Sequence, residues 1–217
     1  MGYEAVLFDF DGTLANTMAN HYRCWKQVFK EVGIEVKETE YYPMEGASLH
    51  MIARNFSGVD DENFINLLVK KKKQLYVEMH KQSVISFYPG VEEIVEILSK
   101  KFPLAIVTAG HEDQLRATVP KNFLDKFTAI ICGDKVKKNK PYPDPYITAC
   151  RELLSLPEKS IVVENAPLGV ESAVSAGCYC IGVTSTCEPS TLSEAHELIP
   201  KISDIFTAKV LKSSFSR

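Results

Sequence analysis

Two carboxylates one residue apart, Asp9 and Asp11, end the apolar run Val6-Leu7-Phe8 and lead into the turn Gly12-Thr13. A strand that closes this way projects both acids from its C-terminal end, the edge of an open parallel sheet where ligands collect. Held together away from water, two carboxylates repel each other unless a cation offsets them. Hard oxygen ligands suit magnesium. One acid of such a pair can attack phosphorus while the other moves protons, so the spacing points to an aspartate nucleophile acting on a phosphate ester. Asp-Gly by itself is ordinary turn chemistry, and the chemical reading gains its weight from residues downstream.

Three further polar groups come after apolar runs. Thr108 stands directly after Leu104-Ala105-Ile106-Val107 and before Ala109-Gly110. Lys140 opens Lys140-Pro141-Tyr142-Pro143-Asp144-Pro145, a proline-stiffened loop ahead of a helix. Glu164 and Asn165 succeed Ile161-Val162-Val163. Singly these are a turn hydroxyl, a loop lysine and a helix cap. Together they supply a hydroxyl, a cation and further oxygens at the edge that already holds the two acids.

The elements that must position them alternate. Strands are expected at Ala5–Phe8, Leu104–Val107, Ala129–Cys132, Ile161–Val163 and Tyr179–Val183. Between them, Val91, Ile94, Val95 and Leu98 recur at helical spacing, and further helices are expected at Pro143–Leu154 and Gly169–Ala176. Short apolar strands alternating with helices imply a doubly wound α/β fold with a parallel sheet covered on both faces. Residues 18–87 break the alternation. They hold no strand candidate, and they carry two apolar stripes: His21, Trp25, Val28, Phe29 and Val32, then Phe64, Leu67, Leu68, Leu75 and Met79. The expected organisation is an α/β core of residues 1–17 and 88–217 with a helical cap over 18–87. An insertion placed directly after the acidic turn overhangs the sheet edge and suits a lid that excludes water.

Composition narrows the classes. The chain has 217 residues, 45% hydrophobic and 24% charged, with a net charge of -3. Without a dominant basic patch, nucleic acid is not the expected partner. The run Lys70-Lys71-Lys72-Lys73 wraps most of a helix's circumference and reads mainly as a solvated face. Six cysteines form no Cys-x-x-Cys pair, and no apolar segment approaches the ~20 residues of a membrane span. A reduced cytoplasmic protein with no membrane contact is expected, as a monomer or weak homodimer.

With these residues in hand, the chain resembles the haloacid dehalogenase superfamily, in the branch with a helical cap after the first strand. The resemblance runs through Asp9-Phe10-Asp11-Gly12-Thr13, Thr108, Lys140-Pro141 and Glu164-Asn165 in order. The closest look is to β-phosphoglucomutases and related small-molecule phosphatases, supported by His21-Tyr22-Arg23-Cys24-Trp25-Lys26, Gly46-Ala47-Ser48 and Tyr88-Pro89-Gly90. It implies that Asp9 becomes an aspartyl phosphate and Asp11 is the acid–base group. Thr108 and Lys140 then hold the phosphoryl oxygens, and Asp9, Asp11, Glu164 and Asn165 hold Mg2+. It also places Ala109 and Gly110, with Glu45, Lys72 and His21 from the cap, beside a small phosphorylated metabolite. His21 matches a residue that positions the acid–base aspartate.

The chain departs from the pattern in places that matter. Asn165 stands where a second Asp is common, which keeps an oxygen ligand but removes a charge. Asn16 replaces a frequent Asp. Leu49 and Glu45 occupy cap positions that are arginine and lysine in the mutases, and His111 with Glu112 after it replaces a core lysine. These cations are lost and two anions sit close by, an environment that disfavours a second phosphate dianion. The expected function is therefore magnesium-dependent hydrolysis of a small phosphomonoester. The alternative is a β-phosphoglucomutase-type hexose phosphate isomerase, and a third reading is an inactive regulatory protein on the same fold.

Overall fold

The central strands of the sheet are apolar runs whose alternate side chains enter two different cores. The structure, a computed structural model, describes residues 2–80 and 85–215. Strand β1 (Ala5–Phe8) sends Val6 and Phe8 to one face and Ala5 and Leu7 to the other, all fully buried. Four helices come next without a strand: α1 (Met18–Lys30), α2 (Glu38–Tyr41), α3 (Leu49–Ser57) and α4 (Glu62–His80). The chain then returns through α5 (Val91–Ser99) to β2 (Leu104–Val107), α6 (Glu112–Thr118), α7 (Lys121–Leu124) and β3 (Ala129–Ile131). It ends with α8 (Asp144–Glu152), β4 (Ser160–Glu164), α9 (Pro167–Ser175), β5 (Tyr179–Val183), β6 (Glu197–Ile199) and α10 (Lys209–Phe215).

The six described strands pair in parallel in the order β3-β2-β1-β4-β5-β6. The connection reverses direction across β1, which places a switch point between β1 and β4, where open α/β sheets bind ligands. One face packs on α5 through Val91, Ile94, Val95 and Leu98. The other packs on α8 and α9 through Tyr146, Ala149, Cys150, Val170 and Ala173. The expected doubly wound sheet is thus observed, with one strand added. β6 escapes the sequence because it is a three-residue edge strand with Leu198 exposed, too short and too polar to show a buried run.

The helical segment has its own core. Trp25, Val28 and Phe29 of α1 meet Ile52 and Ala53 of α3 and Ile65, Leu68 and Val69 of α4, with Trp25 stacked on Phe29 at 5.1 Å between ring centroids. Leu168, at the start of α9, packs against this cluster and ties it to the sheet. The expected stripe on α4 is corrected here. Leu67 is 47% and Met79 37% exposed, while the inward face carries Ile65, Leu68, Val69, Lys72 and Tyr76. The helix is turned toward α1, so its buried face is chosen by that neighbour, not by its most apolar residues. Residues 81–84 of the expected cap lie outside the described residues. Among the described residues, no helix is long and apolar enough to cross a membrane.

Candidate active site

One buried cation ties three strand ends together. Lys140, 1% exposed, places Nζ 2.6 Å from Asp9 Oδ1 after β1, 3.2 Å from the carbonyl oxygen of Val107 that ends β2, and 2.6 Å from Glu164 Oε1 that ends β4. Burial opposes its charge, but Asp9 and Glu164 outweigh burial and hold the ammonium above its ordinary range. Glu164 is satisfied on both oxygens. Oε1 also accepts from the Tyr146 hydroxyl at 3.1 Å, and Oε2 accepts from the backbone N–H of Asn165 (2.8 Å) and Ala166 (2.9 Å). This carboxylate fits beneath α9 because Gly169 has no Cβ there, where one would collide with it.

Asp9 is 5% exposed. Burial first, then the neighbouring Glu164 and Asp11 carboxylates, push its carboxyl up to about 8, with Lys140 pulling the other way. The strand ends therefore hold more buried negative charge than one lysine offsets, a condition that a bound cation relieves.

Asp11 is held by a different set. Its Oδ1 accepts from the Thr17 hydroxyl at 2.6 Å and faces His21 Nε2 at 2.9 Å, and its Oδ2 accepts from the Thr108 hydroxyl at 3.2 Å. Lys72 Nζ lies 2.7 Å from His21 Nδ1 and 4.8 Å above the Tyr76 ring, on which the imidazole is stacked. An ammonium can only donate, so Nδ1 accepts and the imidazole proton sits on Nε2, aimed at Asp11. Burial opposes ionisation of Asp11, but His21, Thr17 and Lys72 outweigh it and hold the carboxyl below its ordinary range. Burial and Lys72 hold His21 below its own ordinary range, which agrees with a neutral ring. Lys72 is fully buried, with burial lowering its ammonium to about 8 despite Asp11. It is the exception in the tetralysine run: Lys70 is exposed, Lys71 pairs with Glu31, and Lys73 pairs with Asp113.

Asn165 closes the floor. Thr13 donates its hydroxyl to the Asn165 side chain at 2.8 Å, and Thr186 meets the amide's other end at 3.0 Å. The inward terminal atom of the amide lies 3.2 Å from Asp9 Oδ2 and 3.2 Å from the carbonyl oxygen of Asp11. With nitrogen inward, the amide donates to both. With oxygen inward, its separation from each of those two oxygens is close to the ~3.0 Å edge of an octahedron built from ~2.1 Å bonds. Gly12, at φ +91°, runs so close to this amide that a Cβ would strike it. Among the described residues, no three His, Cys, Asp or Glu side chains form a metal cage. The donor set here is a carboxylate, a backbone carbonyl and an amide.

Above these groups lies a cavity of about 50 Å3, lined by Asp9, Asp11, Thr108, Ala109 and Gly110 from the sheet edge and by His21, Trp25, Glu45 and Leu49 from the helices. The expected site residues thus converge, with two distinctions. Lys72 reaches His21 from behind and does not line the cavity, and Glu164 faces Lys140, apart from that donor set. His111 stands at a neighbouring groove beside Lys73. Sequence reasoning missed Thr17, Tyr146 and Thr186. A threonine directly before a helix reads as an N-cap, yet the Thr17 hydroxyl caps nothing and is spent on Asp11. Tyr146 and Thr186 carry no local signal.

Acids at the switch point of a doubly wound sheet place the chain among the α/β enzymes. It belongs to the haloacid dehalogenase-like hydrolases, whose family model matches residues 6–183, from β1 through β5. It is 31% identical over 181 residues to the phosphorylated carbohydrates phosphatase of Thermotoga maritima, covering 80% of this chain and 82% of that one. It is 27% identical over 210 residues to hexitol phosphatase A of Escherichia coli, covering 96% of each. Among solved structures, a putative β-phosphoglucomutase from Bacteroides vulgatus superposes with a TM-score of 0.82 at 29% identity, covering 100% of this chain and 91% of that one.

Proposed function

We propose that the chain is a phosphatase that hydrolyses a small phosphorylated sugar or polyol through a covalent aspartyl phosphate. The observation that carries this reading is Asp9, buried against Lys140 on one side of the cavity, with Asp11 held by three hydrogen-bonding partners on the other. The carbohydrate phosphatases among its relatives support it.

In this reading Asp9 attacks phosphorus, the bond to the leaving oxygen breaks, and Asp11 donates a proton to that oxygen. Water then attacks the aspartyl phosphate, Asp11 takes its proton, and phosphate leaves with Asp9 restored. Asp11 begins ionised and takes up a proton from solvent as the substrate binds. An approaching phosphate dianion raises its affinity for the proton it must donate, and the His21–Lys72 pair holds it in place. Lys140 and Thr108 offset charge on the phosphoryl oxygens. Asp9, the Asp11 carbonyl and Asn165 fit a magnesium ion, which when bound supplies a Lewis acid beside the transferring group. Glu164 adds negative charge and fixes Lys140. Residues 18–87 act as a cap that excludes water and selects the leaving group.

Asn165 tests the metal reading. Asn165→Asp adds a charge to the donor set and is expected to tighten magnesium binding by about tenfold, read by titration calorimetry on the resting protein. Unchanged or weaker binding removes Asn165 from the set.

A panel of phosphomonoesters with magnesium, including β-glucose 1-phosphate and sorbitol 6-phosphate, tests the hydrolase itself. Phosphate release is expected, and EDTA should abolish it. The mutase reading draws on the likeness to the Bacteroides protein. A mutase must hold a second phosphate, and the cavity offers Leu49 and Glu45 for that purpose. Each absent charge-assisted contact weakens binding by about 1.5–3 kcal/mol, so two amount to roughly a hundredfold or more. Glucose 6-phosphate should therefore not accumulate, even with a bisphosphate primer. A coupled dehydrogenase assay that shows it outpacing phosphate release overturns the hydrolase reading.

A further inference from the structure

Among the described residues, three buried side-chain polar atoms lack a hydrogen-bond partner: Trp25 Nε1, Glu45 Oε1 and Gln114 Oε1. Trp25 and Glu45 line the cavity over the aspartates. Gln114 lies elsewhere, in α6, and is 5% exposed. Its backbone is accounted for, with the N–H bonded to Asp113 Oδ1 at 2.7 Å and the carbonyl accepting from the Thr118 hydroxyl at 2.9 Å. Its side chain lines a second space of about 10 Å3, bounded also by Phe10, Asp11, Tyr76, Thr108 and His111. That volume is about one water, and a buried water needs two to four polar partners. The walls offer the Gln114 oxygen, the Asp11 carboxylate and the Thr108 hydroxyl. Buried oxygens without a partner are few in folded proteins, and water is the usual answer to one.

This space connects two regions that are otherwise apart. It shares only Asp11, Thr108 and Gly110 with the substrate cavity. On its other side stands His111, which also lines the groove of about 750 Å3 between α4 and α6. The exposed Lys70 borders that groove, and the His111 side chain is itself partly exposed, with Nδ1 at 3.2 Å from Lys73 Nζ. Solvent thus comes within one side chain of the space beside Asp11 without crossing the substrate cavity.

Asp11 has a use for such a route. His21, Thr17 and Lys72 hold it ionised at rest, so it must gain a proton before it can give one to the leaving oxygen. Its Oδ1 is occupied by Thr17 and His21. Its Oδ2 is served by Thr108, whose Oγ accepts from the Gly110 N–H at 3.0 Å and gives its one proton to Asp11 at 3.2 Å. A hydroxyl has a single proton to donate. When Thr108 turns that proton to a phosphoryl oxygen, Asp11 Oδ2 loses its partner. The substrate meanwhile fills the cavity of about 50 Å3 and closes that way to water. The space at Gln114 then borders the one open acceptor of Asp11.

We propose that Gln114 holds a water against Asp11, and that this water carries protons between Asp11 and the solvent groove at His111 while substrate occupies the cavity. In the first half-reaction the water gives a proton to Asp11 Oδ2 and takes one from solvent, and Asp11 passes its proton to the leaving oxygen. In the second half-reaction Asp11 takes a proton from the attacking water and returns it to solvent by the same path, so the relay water is unchanged over a cycle. This rests on the phosphatase reading above. Gln114 is a positioning residue, because it touches the relay water and neither the substrate nor phosphorus.

The leaving group provides the test. The alkoxide of sorbitol 6-phosphate needs a proton to depart, whereas p-nitrophenyl phosphate releases a stable anion that needs none. Gln114→Leu removes the oxygen at nearly constant volume. It should lower the ratio of kcat/KM for sorbitol 6-phosphate to that for p-nitrophenyl phosphate by about tenfold or more, since general acid catalysis is worth about 10²–10⁴-fold. Gln114→Glu, which keeps an oxygen at that place, should restore the ratio to within about threefold of wild type. A purely structural role would lower both substrates together, and a fixed ratio in Gln114→Leu overturns the relay. It would show that Asp11 draws its proton by another way, such as from Lys72 through His21. A high-resolution crystal structure of the wild-type protein should show one ordered water bonded to Gln114 Oε1 and Asp11, and a dry space there overturns the relay independently. Wild-type protein that hydrolyses both esters while the ratio stays fixed in the variant sinks the relay alone. Wild-type protein that hydrolyses neither sinks the phosphatase reading, and the relay with it.

Discussion

Asp9→Asn is expected to abolish turnover of every phosphomonoester, with a loss of roughly 10⁴-fold or more, because an amide cannot form the acyl phosphate and a lost nucleophile is not replaced by its neighbours. The side chain keeps its shape and sits among the same partners, so the fold should survive. Two measurements separate loss of chemistry from loss of structure. Rapid-quench experiments with phosphorus-labelled substrate should place label on the wild-type protein and none on the variant. Thermal unfolding should show the variant folded, and more stable above neutral pH, where wild-type Asp9 carries a buried charge. A variant that keeps more than about a tenth of wild-type turnover refutes covalent catalysis by Asp9.

The second large effect concerns Lys140. Its ammonium is fully enclosed and lies 2.6 Å from both Asp9 and Glu164. Lys140→Met preserves length and apolar volume but leaves two buried carboxylates facing each other. Breaking a buried pair from one side costs about 3–5 kcal/mol, since the remaining charge has neither water nor partner. The pH dependence has a definite sign. Without Lys140, which pulls the other way, burial and Glu164 raise the Asp9 carboxyl further in the folded state. A carboxyl raised on folding contributes its stability fully below the unfolded value near 4 and loses it as pH rises through the folded value. The variant should therefore approach wild-type stability at pH 4 to 5 and fall furthest behind at pH 8. Urea unfolding at the two pH values reads this directly. Turnover should also fall about 10²–10³-fold, as when one charge-stabilising donor is removed. A deficit that is the same at both pH values, or below about 1 kcal/mol at pH 8, shows that the lysine does not neutralise this pair.

The parts of the fold legible in the sequence share one physical property. Strands β1, β2, β4 and β5 are buried on both faces, so each is a continuous apolar run, and their polar endings stand out against it. Asp9, Thr108 and Glu164 are visible for that reason: each is the residue at which an apolar run stops. Elements whose burial depends on a neighbour are less visible. β6 is paired on one side only and shows no run. On α4, composition favours Leu67 and Met79 as the inward face, yet Lys72 and Tyr76 are buried there because α1 presents His21 to them.

Chain order and residue type by themselves determined the alternating fold, the place of the helical insertion, and the set of polar groups delivered to one sheet edge. These are local properties, set by hydrophobic period and by the residue at which each run stops. Tertiary structure alone decided which of those groups touch. Thr17 turns its hydroxyl from capping α1 to Asp11, Tyr146 reaches Glu164 across 18 positions, and Asn165 meets Thr186 across 21. Only the packed helices bring Trp25 and Glu45 to one cavity with both polar atoms unpaired. A hydrogen bond or a missing partner depends on separations of a few tenths of an ångström between residues far apart in the chain, and no pattern along the sequence encodes such distances.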